Sequence, residues 1–338
     1  MKLIIDNKIP YIRTHAERLG ECTFLPGTAI TAADVRDADV LIVRTRTKVN
    51  RQLLEGSRVQ LVVSATIGFD HLDTEYLEEA GIAWKNCPGC NAGSVAQYVE
   101  SALLVLHQQG IVNLRSGPTV GVVGVGHVGS RVAATCAALG CSVLRNDPPR
   151  QQREGGFFVS LAQIQAEADI ITFHTPLTKE GPFATHGMAG SGFFEGLQRQ
   201  PVILNTARGG VVDEGALEQA LDAGRVRASV IDTWENEPNI SRSLLQKTLV
   251  GTPHIAGYSA DGKANATRMA LEAVAHHFGL HETFCVEPPC LSPDVELSAD
   301  PLERKLQLYN PMRDSEALKA HPERFEWFRE NYPLRREA

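Results

Sequence analysis

Apolar residues fall in short, dense runs that stop abruptly at polar residues: Leu3–Ile5, Cys22–Leu25, Val40-Leu-Ile-Val43, Leu61-Val-Val-Ser64, the run from Thr119, Asp169-Ile-Ile-Thr-Phe-His174, Val202-Ile-Leu-Asn205 and Arg227-Ala-Ser-Val-Ile231. Runs of this length without alternation predict strands buried on both faces, as in parallel sheets. Between them the spacing changes to that of helices, over Tyr11–Leu19, Asn91–Leu106, Arg131–Leu139, Asp213–Leu221 and Asp261–Phe278. Strand and helix in regular alternation predict an α/β protein of two doubly wound parallel-sheet domains, one flavodoxin-like and one Rossmann-like. The boundaries expected are 1–92 with 258–282 for the first domain and 93–257 for the second. The helix from Asn91 is the connector, and the helix from Asp261 returns to the first domain. A segment over 283–338, rich in proline and charge, has too few apolar residues for a core of its own and must pack on something else. A symmetric partner subunit is one candidate support.

In open parallel sheets ligands sit beyond the carboxyl ends of the strands. The strand from Thr119 runs directly into Gly124-x-Gly126-x-x-Gly129 and then an alanine-rich helix. The first glycine permits the tight turn, the second lets backbone approach a pyrophosphate, and the third lets helix pack on strand. The following strand, Ser142-Val-Leu-Arg-Asn, ends at Asp147, close to the offset of about 20 residues at which an acid accepts a ribose 2′-hydroxyl. The pattern predicts a dinucleotide site, and the charge of Asp147 favours NAD over NADP.

Composition narrows the remaining classes. The 338 residues are 43% hydrophobic with a net charge of −7, and Lys and Arg are scattered, so nothing invites nucleic acid. Met1-Lys-Leu-Ile-Ile-Asp6 reads as a buried strand rather than a leader, and no run of about 18 apolar residues suggests a membrane span, so a cytoplasmic protein is expected. Seven cysteines at irregular spacing fit reduced thiols. Cys87-x-x-Cys90 reads as a turn before a helix, with no second half-site for a metal.

Three groups follow strands or turns on the cofactor side of the second domain: Arg208, Glu237 and His254. An alcohol yields hydride as its proton leaves, and imidazole suits that proton. A carboxylate at Glu237 would fix the ring's tautomer and stabilise the imidazolium. Arg208 offers a planar cationic fork to a substrate carboxylate. Together these predict oxidation of a 2-hydroxy acid. His71, His127, His174 and the His276-His277 pair have no such case individually. In the first domain, Arg44-Thr-Arg-Thr-Lys48 and Ala65-Thr-Ile-Gly-Phe-Asp-His71 follow strands and could hold a carboxylate and a phosphate, although composition alone favours a solvated basic loop for the first.

Asn205-Thr-Ala-Arg208-Gly-Gly-Val-Val-Asp-Glu, Asp232-Thr-Trp-Glu-Asn-Glu237-Pro and Gly251-Thr-Pro-His254-Ile-Ala-Gly resemble, in order and spacing, the Arg, Glu and His motifs of the D-2-hydroxyacid dehydrogenases. The resemblance implies that Arg208, Glu237 and His254 are catalytic. It implies cofactor contacts at Gly124, Gly126, His127, Val128, Gly129, Asp147, Thr175, Thr206, Ala207, Asp232 and Gly257, and substrate contacts at Thr45, Thr66 and Tyr258. The first-domain segments and Asp147-Pro-Pro-Arg150 resemble those of one branch of the family, and that resemblance implies oxidation of a four-carbon, terminally phosphorylated 2-hydroxy acid at C2 with NAD, on the route to pyridoxal phosphate. A homodimer through residues 283–338 is implied as well, with no metal, nucleic acid or membrane partner. A relative acting on 3-phosphoglycerate or a small unphosphorylated acid remains open, as does a non-catalytic NAD sensor. Substrate contacts in both domains make closure over substrate a further expectation.

Overall fold

The computed structural model describes residues 1–290 and 298–337 and divides into two compact units, Met1–Asn91 with Ser259–Ser292 and Ala92–Tyr258 with Pro293–Ala338. The tail's Pro293 lies outside the described residues.

The first unit is built on five parallel strands, β1 (Lys2–Asp6), β2 (Glu21–Leu25), β3 (Val40–Val43), β4 (Leu61–Ser64) and β5 (Ala83–Lys85), in the order β2-β1-β3-β4-β5. That is the flavodoxin-like order, with its switch point between β1 and β3. Every residue of β3 and β4 is buried, as their unbroken apolar runs predict. The helix Ala260–His277 covers one face through Ala264, Ala270, Leu271 and Val274. The stretch Tyr11–Leu19 is helical only over Arg13–Ala16. Ile12, at its start, cannot cap a helix with its side chain, and Tyr11 before it has φ +61°.

The second unit carries six parallel strands, β6 (Thr119–Val123), β7 (Ser142–Asn146), β8 (Ile170–Phe173), β9 (Val202–Asn205), β10 (Ala228–Ile231) and β11 (Val250–Gly251), in the order β11-β10-β9-β8-β6-β7. Beyond β7, Val159 N–H donates to the Arg145 carbonyl at 2.8 Å. The sheet reverses order between β6 and β8, which puts the glycine-rich turn at the switch point. The helix there begins at His127 rather than at Arg131. Its first residues are poor helix formers, and tight packing of Gly129 on the turn overrides that weak preference.

The helix Ala92–Gln108 is apolar nearly all round because it is enclosed: Leu103, Leu104 and Leu106 are buried among the residues of β6, β9 and β10. Each such side chain contributes about 1.5–3 kcal/mol. The same helix receives part of the tail. Leu306 and Tyr309 join its cluster, while Leu318 and Phe325 enter the cluster on the sheet's other face. The tail is therefore supported by its own chain's second unit, with Lys305 paired to Glu100 and the Ser315 hydroxyl accepting from Gly251 N–H at 3.0 Å.

Among the described residues no helix is long and apolar enough to cross a membrane, and no cluster of His, Cys, Asp and Glu could hold a metal ion. None of the seven cysteines is in a disulfide, and Cys87 and Cys90 flank a turn whose Gly89 has φ +78°.

Candidate active site

The glycine-rich turn divides its labour as the sequence suggests. A Cβ on Gly124 would lie 2.8 Å from the His174 backbone and the Thr175 side chain, and one on Gly129 would run into the Gly124 carbonyl. Gly126 faces open space and is exposed. The helix His127–Ala138 starts at that open glycine, so its free N–H groups and positive dipole end face the space. His127 is exposed and Val128 half-buried at its first turn.

At the end of β7 Asp147 accepts from Val125 N–H at 2.8 Å and from Arg150 N–H at 2.9 Å, joining the turn to the helix Pro148–Glu154 that it caps. The Arg150 guanidinium is tied to the Val125 carbonyl, the Ser130 hydroxyl and Glu154. Across the switch point, His174 is fixed by Thr172 at 2.9 Å and Thr206 at 3.2 Å, and burial pushes it down to about 3, so it is neutral. The Thr175 hydroxyl is buried without a hydrogen-bond partner among the described residues. An open glycine, a helix start, a carboxylate at the next strand and an unsatisfied hydroxyl suit a pyrophosphate and ribose.

After β9, Asn205 bonds the turn that carries the predicted fork. Its amide accepts from Ala207 N–H at 3.1 Å and donates to the Arg208 and Thr233 carbonyls at 3.2 and 3.3 Å. Arg208 Nη1 donates to the Ala207 carbonyl at 2.8 Å. Gly209 is pressed against the Trp234 carbonyl, where any Cβ would collide, so the turns after β9 and β10 are locked together.

After β10, the buried Asp232 carboxylate organises the chain beyond β11. It accepts from Thr252 Oγ1 at 2.6 Å, Ile255 N–H at 2.8 Å and Ala256 N–H at 3.0 Å. Burial raises its carboxyl, against the opposing His254 charge and these hydrogen bonds. Gly257 and Tyr258 follow, both half-buried. Between these residues His254 takes φ +56°, with its N–H on the Asp232 carbonyl at 2.9 Å. Its ring meets Glu237: Nδ1 lies 3.0 Å from Oε1 and 2.9 Å from Oε2. Trp234 N–H also donates to Oε1, at 3.0 Å. Burial would push the Glu237 carboxyl up, but the His254 hydrogen bond and charge, the Trp234 N–H and Arg329 outweigh it and hold the group below the usual range. Glu237 is therefore ionised at neutral pH, and Nδ1 carries the hydrogen, leaving Nε2 to exchange a proton.

Thr45 and Thr66 lie in the first unit. Thr45 is exposed after β3. Thr66 Oγ1 bonds Ser64 Oγ at 2.7 Å and donates to the Gly68 carbonyl at 3.0 Å, and His71 Nε2 is 3.1 Å from the same Ser64 hydroxyl. In the basic loop, Arg44 turns back onto the buried Asp6 at 2.9 Å and Thr47 donates to the Gly27 carbonyl. Arg46 and Lys48 are exposed. Two cations missed in the sequence stand beside the second-unit site. Arg329 and Arg335 come from a tail whose charge gave no periodic signal.

Comparison with known proteins agrees with this architecture. Residues 96–256 match the NAD-binding domain of the D-isomer specific 2-hydroxyacid dehydrogenases. The chain is 52% identical to the erythronate-4-phosphate dehydrogenase of Bacteroides thetaiotaomicron, over 100% of this chain and 97% of that one. It is 41% identical to the protein of that name from Porphyromonas gingivalis, over 100% and 94%. The D-lactate dehydrogenase of Aquifex aeolicus, solved with NAD and lactic acid, shares the fold at 24% identity and a TM-score of 0.66, over 82% of this chain and 96% of that one. The chain belongs to the D-isomer specific 2-hydroxyacid dehydrogenase family, among relatives that carry the erythronate-4-phosphate dehydrogenase name.

Proposed function

We propose that the protein oxidises 4-phospho-D-erythronate at C2 to 2-oxo-3-hydroxy-4-phosphobutanoate, on the route to pyridoxal phosphate. The observation that carries the reading is the grip of Glu237 on His254 Nδ1, in a chain 52% identical to a named erythronate-4-phosphate dehydrogenase. When bound, NAD⁺ supplies the hydride acceptor. The turn Gly124, Gly126, His127, Val128 and Gly129 would hold the pyrophosphate, Asp147 would take the ribose, and Thr175, Thr206, Ala207, Asp232 and Gly257 would line the cofactor.

His254 Nε2 accepts the C2 hydroxyl proton as the C2–H bond gives up its electron pair. The imidazolium so formed is neutralised by Glu237. Arg208 swings its fork from the Ala207 carbonyl to the substrate carboxylate and polarises the forming ketone. Thr45, Thr66 and Tyr258 contact the remaining substrate. The working division is a substrate domain of 1–92 with 258–282, an NAD domain of 93–257 and a dimerisation segment of 283–338, in a cytoplasmic homodimer.

The test is NADH formation, read at about 340 nm, with 4-phospho-D-erythronate beside 3-phosphoglycerate and unphosphorylated erythronate, with product removed to draw the reaction forward. Preference for the four-carbon phosphate is expected. Preference for another acid keeps the chemistry and overturns the substrate. NADH binding with silence on all three favours a sensor.

A further inference from the structure

Besides His254 and the Trp234 N–H, Glu237 has a cation from the tail beside it. Arg329, at the end of the helix Phe325–Glu330, places Nη1 3.6 Å from Glu237 Oε2. The Arg329 side chain is 22% exposed and Glu237 18%, so the pair is largely withdrawn from solvent screening. The same guanidinium bonds the Tyr258 hydroxyl and senses Asp232. One tail arginine thus touches the acid of the Glu–His pair and a residue expected to contact substrate.

A second arginine secures the placement. Arg335 is 7% exposed and spends its donors on main-chain carbonyls: Ile255 at 3.1 Å, Ala256 at 2.6 Å, Tyr258 at 2.8 Å and Ser94 at 3.1 Å. Its Nε donates to Gln97 Oε1 at 3.0 Å, and its guanidinium lies 4.0 Å from the Tyr309 ring centroid. The loop immediately after His254 is therefore held from the tail as well as by Asp232. A tail serving only as a spacer or a dimer contact would need neither arrangement.

We propose that the tail completes the catalytic site within its own chain, with Arg329 as a positioning residue that orients Glu237 and balances its charge, and Arg335 as the anchor that brings it there. The inference rests on the reading of Glu237 and His254 as the proton-handling pair. Without Arg329, Glu237 keeps His254 and the Trp234 N–H and still lies within reach of the Glu214 carboxylate's charge. Its ionised form then loses a stabilising neighbour. Glu237 protonates at higher pH, and a protonated carboxyl no longer supports the imidazolium.

The experiment uses the full chain with Arg329→Met and Arg329→Lys. Protonation of Glu237 is followed by its infrared carboxyl band, assigned with Glu237→Gln, and turnover is measured across pH. Arg329→Met should move the carboxyl midpoint upward, carry the acid limb of kcat with it, and lower kcat at neutral pH roughly tenfold, a fraction of the ~10²–10⁴ that acid–base catalysis supplies. KM should change less, and Arg329→Lys should restore most of the limb. An unchanged midpoint in a folded Arg329→Met protein overturns the proposal, as does a lysine variant no better than methionine. The carboxyl band is readable without turnover. If the wild type ignores 4-phospho-D-erythronate, the substrate assignment falls while the band still decides the role of Arg329.

Discussion

Glu237 holds His254 Nδ1 with both carboxylate oxygens, at 3.0 and 2.9 Å. This symmetric grip leaves the ring one tautomer and directs Nε2 outward. His254→Ala should lower kcat on the order of 10²–10⁴-fold while NADH binding, followed by fluorescence, persists. Glu237→Gln should fall between wild type and that variant. Unchanged turnover in His254→Ala would show that the proton leaves by another route.

Two glycines of one turn should differ in their effect on stability. Gly129→Ala drives a methyl into the Gly124 carbonyl, so it should lower the melting temperature and weaken NADH binding together. Gly126→Ala meets no protein atom, so melting should be unchanged while NADH affinity drops because the methyl occupies the space of the pyrophosphate. Calorimetry with a binding titration separates the two. Equal melting losses would contradict the assignment of that open face to ligand.

Glu214 and Glu235 exchange backbone bonds, the Glu235 N–H donating to Glu214 at 2.6 Å. Burial, opposed by that bond and reinforced by the charges of Glu235, Glu237 and Asp213, pushes Glu214 up to about 7. A raised carboxyl means the folded protein keeps a proton that the unfolded chain releases near 4.5, so this contribution falls as pH rises from there to about 7. Glu214→Gln should flatten the stability curve in that window, measured by urea unfolding at several pH values. Glu237, held low, contributes with the opposite sign and loses its contribution only as pH drops below the usual carboxylate range.

Asp6 is fully buried and Arg44 is its cation at 2.9 Å. Arg44→Met should destabilise the protein by about 3 kcal/mol, the lower end for stranding a buried charge, since Arg44 is 28% exposed. Denaturant unfolding checks the figure. A loss of substrate affinity with full stability would instead return Arg44 to the anion-binding role its loop suggests.

The sheets were legible because their strands are buried on both faces: Val40–Val43 is apolar throughout and Val202–Asn205 up to its last residue, in runs too short for helices. The glycine turn was legible because close approach leaves glycine no substitute. Helix ends were less so. Periodicity over Tyr11–Leu19 overstates a single turn, since it carries no sign of the positive φ at Tyr11 that precedes the helix Arg13–Ala16. The tail was the least legible part of the site. Arg329 and Arg335 resemble surface cations in sequence, and only the fold reveals that carbonyls and a carboxylate await them. In the same way, the cations of Arg44–Lys48 read alike, yet one of them serves Asp6.

His254 sits at φ +56°, a region that glycine enters freely and asparagine more readily than other side chains, at a standing cost of about 1–2 kcal/mol. Asparagine there would relieve the backbone and still offer Glu237 an N–H donor. Unselected mutation at this position therefore drifts toward a sturdier, inert protein, one that stability screening alone would rank above its parent.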